Sequence, residues 1–322
     1  MKQISLCLIL SLLLVSQAIL AAESQRRLDP NQIINNAPIL SLEEDSINSF
    51  ETEVFVNLEG ITFGFRIAAK APDRYALTVF DPKDNTPIMV ARGNKVLFYD
   101  PTADELILFD GKCEFRMEIT KPDVNDVEAG INTFSLGFGF NTKFDPNKPV
   151  EQHPVYINLR SIMQAAPKSP KMKRINKEHY TLTSFTKGGG RIIAQVKLTN
   201  EMPIISSVEM YTADDPAKTP STIIKEIKIN DNIPEQVLNF PMKKLRDSDL
   251  MVAKLDKGEA GAYQGLAVFY KAIFARLIVS SGVIDNIEAG KYEKLFKQTI
   301  DWQRVKERDK KVSKELKLIF QP

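Results

Sequence analysis

Short runs of alternating apolar and polar residues dominate the chain between Gly60 and Asp110. In the first run, Phe63, Phe65 and Ile67 share one side and polar or small residues take the other. Each run ends in Gly, Pro, Asn or Asp, and none is long enough for a helix. Period-two alternation between turn residues predicts antiparallel strands in series.

The same pattern returns on both sides of this stretch. Further strands are predicted over Thr52–Leu58, Leu106–Phe109, Cys113–Ile119, Tyr180–Thr186, Arg191–Thr199, Pro203–Tyr211 and Ser221–Ile229. Residues 188–190 are three glycines, but no Lys-Ser/Thr pair follows them, so they indicate a hairpin turn and not a phosphate-binding loop. The fold class predicted is therefore mainly β, with some helix.

Helical spacing of apolar residues appears in fewer places. It predicts short helices over Asn36–Phe50 and Pro154–Ala166, and a helical region from Asp247 onward. In that last region one helix covers Gly258–Val279 and a second begins at Gly290, with many lysines and arginines on its outer faces. The two helices form either a packed antiparallel pair or a basic surface that contacts a membrane or a partner.

The segment between residues 121 and 177 interrupts the strand pattern. Phe134, Leu136, Phe138 and Phe140 alternate there with small residues, among them Gly137 and Gly139. The segment is either a buried cover over the sheet or a movable lid, in which the two glycines would act as hinges. The basic run at 168–177 within it is predicted to be a solvated loop, with contact to anionic lipid headgroups as the alternative.

The N-terminus has the pattern of an export signal. Lys2 precedes an almost unbroken apolar run, Ile4–Leu20, and Ala21 and Ala22 are small residues suited to cleavage. We therefore expect a signal peptide over 1–22, with an uncleaved membrane anchor as the alternative. The mature chain is then expected to be a soluble periplasmic or extracellular protein with no membrane-spanning segment after cleavage. With 43 basic and 41 acidic residues, no binding of nucleic acid is expected.

Few residues in this chain suit catalysis or metal binding. Cys113 is the one cysteine outside the signal, so an internal disulfide is impossible, and alternation places it on the apolar face of its strand. The two histidines, His153 and His179, have no ligand at a useful spacing for a metal. Acidic pairs such as Asp104-Glu105 and Asp214-Asp215 lie in turns. We expect no metal, no cofactor and no enzymatic activity.

Two groups of residues resemble a known family. The first comprises Lys70-Ala-Pro-Asp-Arg-Tyr75 and Arg92-Gly-Asn-Lys-Val-Leu-Phe-Tyr-Asp-Pro101; the second is Ile233-Pro-Glu-Gln-Val-Leu-Asn-Phe-Pro241. Their aromatic and turn positions resemble those of the periplasmic lipoprotein carriers, the LolA-like superfamily, including its closing Phe-x-Pro strand. The likeness runs over residues 37–241, after a flexible segment at 23–36, with the insert at 121–177 and a helical extension at 242–322.

This resemblance implies a curved antiparallel half-barrel covered by helices, with a cavity for acyl chains. The cavity would be lined by aromatic and aliphatic side chains, namely Phe63, Phe65, Ile67, Phe98, Phe115, Phe134 and Phe138. One position departs from the family. Ala71 stands before the turn proline, where the carriers have an arginine that latches the lid, so the latch is missing here.

Two functional hypotheses follow. In the first, the chain is an exported binding protein that holds a lipid, an acylated protein or another apolar ligand in a half-barrel cavity, with a role in lipid or lipoprotein trafficking. In the second, its own side chains fill the cavity, and it acts as an envelope protein that binds a protein partner through its C-terminal helices.

Overall fold

The computed structural model describes residues 28–58, 61–100, 105–120, 133–141, 153–166, 168–186, 189–199, 202–213, 219–255 and 301–320, and nine helical positions between 264 and 276. The side chains of 133–141 and of several segment ends are outside this description. The predicted signal peptide, the predicted helix start at Gly290 and the Asp214-Asp215 pair lie outside the described residues, as do 23–27 of the predicted flexible segment. The described part of that segment contains a helix over Pro30–Asn35 with Ile33 and Ile34 buried, so it is not a flexible segment throughout.

Sixteen strands are present among the described residues. They are β1 (Ile39–Leu40), β2 (Ser49–Leu58), β3 (Ile61–Lys70), β4 (Arg74–Asp81), β5 (Thr86–Arg92), β6 (Lys95–Asp100), β7 (Glu105–Asp110), β8 (Lys112–Thr120), β9 (Thr133–Asn141), β10 (Val155–Asn158), β11 (Lys168–Arg174), β12 (His179–Phe185), β13 (Arg191–Thr199), β14 (Met202–Tyr211), β15 (Thr222–Ile229) and β16 (Val252–Lys254).

Five helices are fully described. They are α1 (Pro30–Asn35), α2 (Leu159–Gln164), α3 (Glu235–Leu238), α4 (Met242–Arg246) and α5 (Trp302–Phe320). Among these and the other described helical residues, no helix is both long enough and apolar enough to cross a membrane.

The strands form one large and one small sheet. Twelve strands lie in the order β11-β12-β13-β14-β15-β2-β3-β4-β5-β6-β7-β16, in a curved sheet that does not close into a barrel. The predicted series of antiparallel strands is confirmed, because β2 to β7 pair each with the next. The small sheet has the order β1-β10-β8-β9.

The main core lies between one face of the large sheet, which we call the inner face, and a cover made of the small sheet and α2. Strand alternation places Phe65 of β3 and Leu77 of β4 on this face, and Met117 of β8 and Ile162 of α2 contribute from the cover. Burial of this much apolar surface drives the two layers together. The predicted helical cover is therefore largely a second sheet.

The opposite, outer face of the large sheet is covered in part by α5. Val90, Leu97 and Leu108 of β5 to β7 pack there against Leu316 and Ile319 of α5. These strands are thus apolar on both faces, and the amphipathic helix α5 covers their outer face. The mainly β fold with a C-terminal helix is confirmed.

Several local predictions are wrong. Residues 36–50 are not a helix: the helix is α1, which begins after the Asp29 cap, and β1, turns and the start of β2 follow it. The predicted helix at 154–166 is half strand, since β10 precedes α2. Pairing with neighbouring strands supplies backbone hydrogen bonds that a short amphipathic helix would have to make alone.

Three further segments differ from prediction. Residues 168–174 form the edge strand β11 and not a loop, and their lysines suit an edge because charge discourages further pairing. Residues 233–241 contain the short helix α3 where the resemblance implies a closing strand. Residues 252–254 form β16, which pairs in parallel with β7 inside the region predicted to be helical.

Candidate functional site

The structure brings together the predicted lining residues whose side chains it describes. Phe63, Phe65 and Ile67 of β3, Phe98 of β6 and Phe115 of β8 all belong to the main core, and none is more than 8% exposed. The rings of Phe65 and Phe115 meet across the two layers, with centroids 5.3 Å apart. These side chains lie together in the core, with side chains of the cover packed against them, and their role as the lining of a ligand cavity stays a prediction.

The other predicted residues of this site lie on β9. Phe138 pairs with Phe115 and Phe134 pairs with Ile119 across the antiparallel β8–β9 ladder. Gly137 and Gly139 occupy regular positions of the same ladder. They therefore sit in a paired strand, and their role as hinges of a lid stays a prediction.

Ala71, at the position of the missing latch, lies in the turn between β3 and β4. It is exposed, and its N–H donates to the carbonyl of Asn48 at 2.8 Å. The basic residues on either side of the turn both pair with Glu235 of α3. Lys70 Nζ lies 3.0 Å from Glu235 Oε1, and Arg74 pairs with the second oxygen of the same carboxylate. These contacts fasten α3 to the sheet and leave Ala71 without a latching side chain.

Tyr75, named above only as part of the family resemblance, connects the sheet to its cover. The buried hydroxyl of Tyr75 on β4 accepts a hydrogen bond from the Cys113 N–H of β8 at 3.0 Å and donates to the Gly93 carbonyl at 2.8 Å. Burial raises the pKa of this hydroxyl well above its ordinary value, so it stays protonated. Gly93 adopts φ +56°, a conformation that favours glycine.

His153 and Cys113, the residues most suited to catalysis, are buried near this tyrosine. The His153 ring meets the Tyr75 ring edge-on at 6.3 Å, and its Nδ1 lies 3.2 Å from the Val155 nitrogen. Burial lowers the pKa of His153, and burial raises the pKa of the Cys113 thiol well above its usual range. Burial of this kind is typical of structural groups, and it agrees with the predicted core position of Cys113.

A groove of about 570 Å³ lies on the outer face, between the sheet, α3 and the end of α5. Its floor is made of small side chains, including Ala68, Ala76 and Thr78, and Val237 and Phe320 form one wall. Arg92 stands beside Phe320, with its guanidinium carbon 5.4 Å from the ring centroid, and donates to the Asn239 carbonyl at 2.8 Å. Burial lowers the pKa of Arg92 to about 10.

Four charged residues meet beside this groove, in a cluster that the sequence did not reveal. Arg276 is buried, and its guanidinium pairs with Asp309 of α5, lies 2.8 Å from Asp84 and lies 3.4 Å from Asp81. Partial burial alone would raise the pKa of Asp84, but hydrogen bonds from Thr86 and the charge of Arg276 hold it below its ordinary value. We call these residues the Arg276 cluster.

A second cavity, of about 460 Å³, opens next to the Arg276 cluster. Its lining includes the carboxylates of Asp81, Asp84 and Asp309 and five lysines, namely Lys83 from the β4–β5 turn and Lys306, Lys310, Lys314 and Lys317 from α5. Within the part of the chain that the structure describes, no group of three or more His, Cys, Asp or Glu side chains is placed to hold a metal ion.

Comparisons with known proteins add little to this geometry. No family model matches the chain, and no curated protein matches it. Among solved structures, an uncharacterized conserved protein from Thermus thermophilus matches with a TM-score of 0.28 and 12% identity, over 70% of this chain and 99% of that one. A LolA superfamily protein from Nitrosomonas europaea matches with a TM-score of 0.20 and 10% identity, over 66% and 98% of the two chains. Similarities this distant carry no weight for the function of the chain.

Proposed function

We propose that this chain is an exported binding protein that holds an acyl chain or another apolar ligand between the inner face of its large sheet and the cover. The observation that carries the proposal is the apolar contact between two separate sheets, centred on Phe65 and Phe115. The resemblance in the turn and aromatic positions of the sequence agrees with it, and the N-terminal pattern supports export.

The construction of the two layers supports reversible opening. Among the described strands, the small sheet shares no ladder with the large one, and its strand β8 follows from β7 through Gly111. Separating the layers would therefore cost mainly apolar contacts, which a bound acyl chain replaces at about 0.8 kcal/mol per buried methylene. The polar contacts to reform on closing would include the hydrogen bond between Cys113 and the Tyr75 hydroxyl and the one from the Ser184 hydroxyl to the Ala166 carbonyl.

Displacement of a fluorescent fatty-acid analogue from the purified full chain tests the proposal. We expect saturable binding, competition by unlabelled fatty acid, and a several-fold change in affinity for Phe98→Ala on the inner face. Leu97→Ala is the matched control, because Leu97 is the adjacent and equally buried residue on the outer face. Its unfolding free energy should fall by a similar amount, about 2–5 kcal/mol, while the affinity stays unchanged.

Absence of saturable binding by the unmodified chain would refute this function. It would favour the second hypothesis, an envelope interaction protein with a self-filled core, for which the tight burial of Ile67, Phe98 and Phe115 is the supporting observation. Native mass spectrometry of protein isolated from its own envelope fraction separates the two, since a carrier retains co-purifying lipid and a self-filled core does not.

A further inference from the structure

The α5 lysines that line the second cavity form a continuous stripe along the helix. Lys306, Lys310, Lys314 and Lys317 are spaced by four, four and three residues, which places them on one side of the helix. The stripe rises over about 16 Å. The apolar side of the helix, with Val312, is buried against β5 to β7.

Basic residues outnumber acidic residues on α5. The helix has seven basic and three acidic residues. Asp309 forms an ion pair with Arg276, and Glu307 accepts a hydrogen bond from Gln303 at 3.3 Å. Lys317 lies 3.4 Å from Asp84, at the edge of the Arg276 cluster, and Lys310 and Lys314 are exposed. Positive charge is therefore concentrated here in a chain whose net charge is only +2.

We infer that this stripe docks the protein on the surface of an anionic bilayer, through the phosphates of several lipid headgroups. A row of ammonium groups about 16 Å long matches a surface of many phosphates better than one small anion. Because the apolar side of α5 is already buried in the protein, the helix would bind by charge and would not insert. Docking through α5 does not require the proposed ligand cavity.

Co-sedimentation of the full chain with vesicles tests the inference. We expect binding to vesicles of phosphatidylcholine and phosphatidylglycerol, no binding to phosphatidylcholine alone, and weaker binding as salt increases. The double variant Lys310→Gln/Lys314→Gln should bind roughly 30-fold more weakly, since each basic residue near an anionic surface contributes about a factor of five. Both residues are exposed, so its thermal unfolding midpoint should stay close to that of the unmodified chain.

The control is Arg304→Gln/Lys311→Gln, which removes the same charge from exposed positions on another side of α5. Its vesicle affinity should remain within about threefold of the unmodified chain. Equal losses in the two double variants would overturn the inference, because binding would then follow net charge alone. Tight binding of soluble tripolyphosphate without binding to anionic vesicles would also overturn it and would identify a small-anion site.

Discussion

At the residue scale, the contact between sheet and cover depends on a few buried polar groups. Tyr75 joins the Gly93 carbonyl to the Cys113 N–H, and the His153 ring packs edge-on against the tyrosine. Buried polar groups of this kind are costly to leave unpaired, which fixes the distance between the layers. Cys113 could be predicted as a core residue from alternation, whereas the role of Tyr75 depends on a residue 38 positions away.

The buried imidazole makes stability depend on pH. Burial is the largest influence on the pKa of His153 and lowers it from an ordinary value of 6.5; Lys112 lowers it further, while the bond to Val155 and the charge of Asp73 oppose the shift. The unfolded chain therefore binds the proton more readily. The contribution to stability is complete above the unfolded pKa and is lost as pH falls through the folded pKa.

We expect the free energy of unfolding to fall between about pH 7.5 and pH 5 and this fall to be smaller in His153→Gln. Denaturant unfolding across this range measures it. His179→Gln is the control, because His179 is exposed and is the one other histidine of the chain. A steep fall that persists in His153→Gln would assign the pH dependence to other groups.

At the scale of elements, close packing on the outer face of β3 and β4 explains a glycine within a strand. Gly64 pairs with Phe80 across the ladder, and a Cβ at Gly64 would overlap the Phe80 ring. That ring is held between neighbours: it meets Phe55 edge-on at 5.9 Å, and the guanidinium of Arg66 lies 4.0 Å from its centroid. Glycine has a low strand propensity, but it has no Cβ and therefore leaves room for the Phe80 ring.

Gly64→Ala should lower the free energy of unfolding by about 1–3 kcal/mol, because overpacking outweighs the usual gain on replacing a strand glycine. Urea denaturation measures the change. The same substitution in a Phe80→Leu background should cost clearly less, since the smaller side chain makes room. If the two substitutions proved additive, contact with the Phe80 ring would not be the cause.

At the scale of the whole molecule, the C-terminal helix is attached to the sheet by two different kinds of contact. Leu316 and Ile319 of α5 cover the apolar outer face of β5 to β7, and the Arg276 cluster ties α5 to the end of β4 and the turn after it. Removing this helix would expose the apolar outer face. Substitution of exposed residues is therefore a better probe of C-terminal function than deletion.

Arg276→Gln should destabilise the chain by about 3–5 kcal/mol, because Asp81 and Asp309 would remain buried without their counter-charge. Thermal and urea unfolding measure the loss, and limited proteolysis should show earlier cleavage within the C-terminal region. Arg304→Gln, at an exposed position of α5, should change stability by no more than about 0.5 kcal/mol. Similar values for the two variants would mean that the cluster adds no net stability.

The alternation of side chains determined much of the architecture by itself, because strand period and turn residues are local properties. It predicted the antiparallel series from β2 to β7, the hairpin of β12 and β13, the core position of Cys113 and the inner placement of Phe63, Phe65 and Ile67. Val96–Tyr99 and Leu106–Phe109 are also apolar without interruption, which is typical of strands covered on both faces.

Only the tertiary structure decided the features that depend on distant partners. Short segments such as 36–50, 154–158 and 168–174 follow helical or polar patterns in sequence, but strand neighbours supply their hydrogen bonds and so set their conformation. The Tyr75 bridge joins residues 38 positions apart, and the Arg276 cluster joins Asp84 to an arginine 192 positions away. No local pattern encodes such contacts, because they exist only once the sheet has curved and its two faces have been covered.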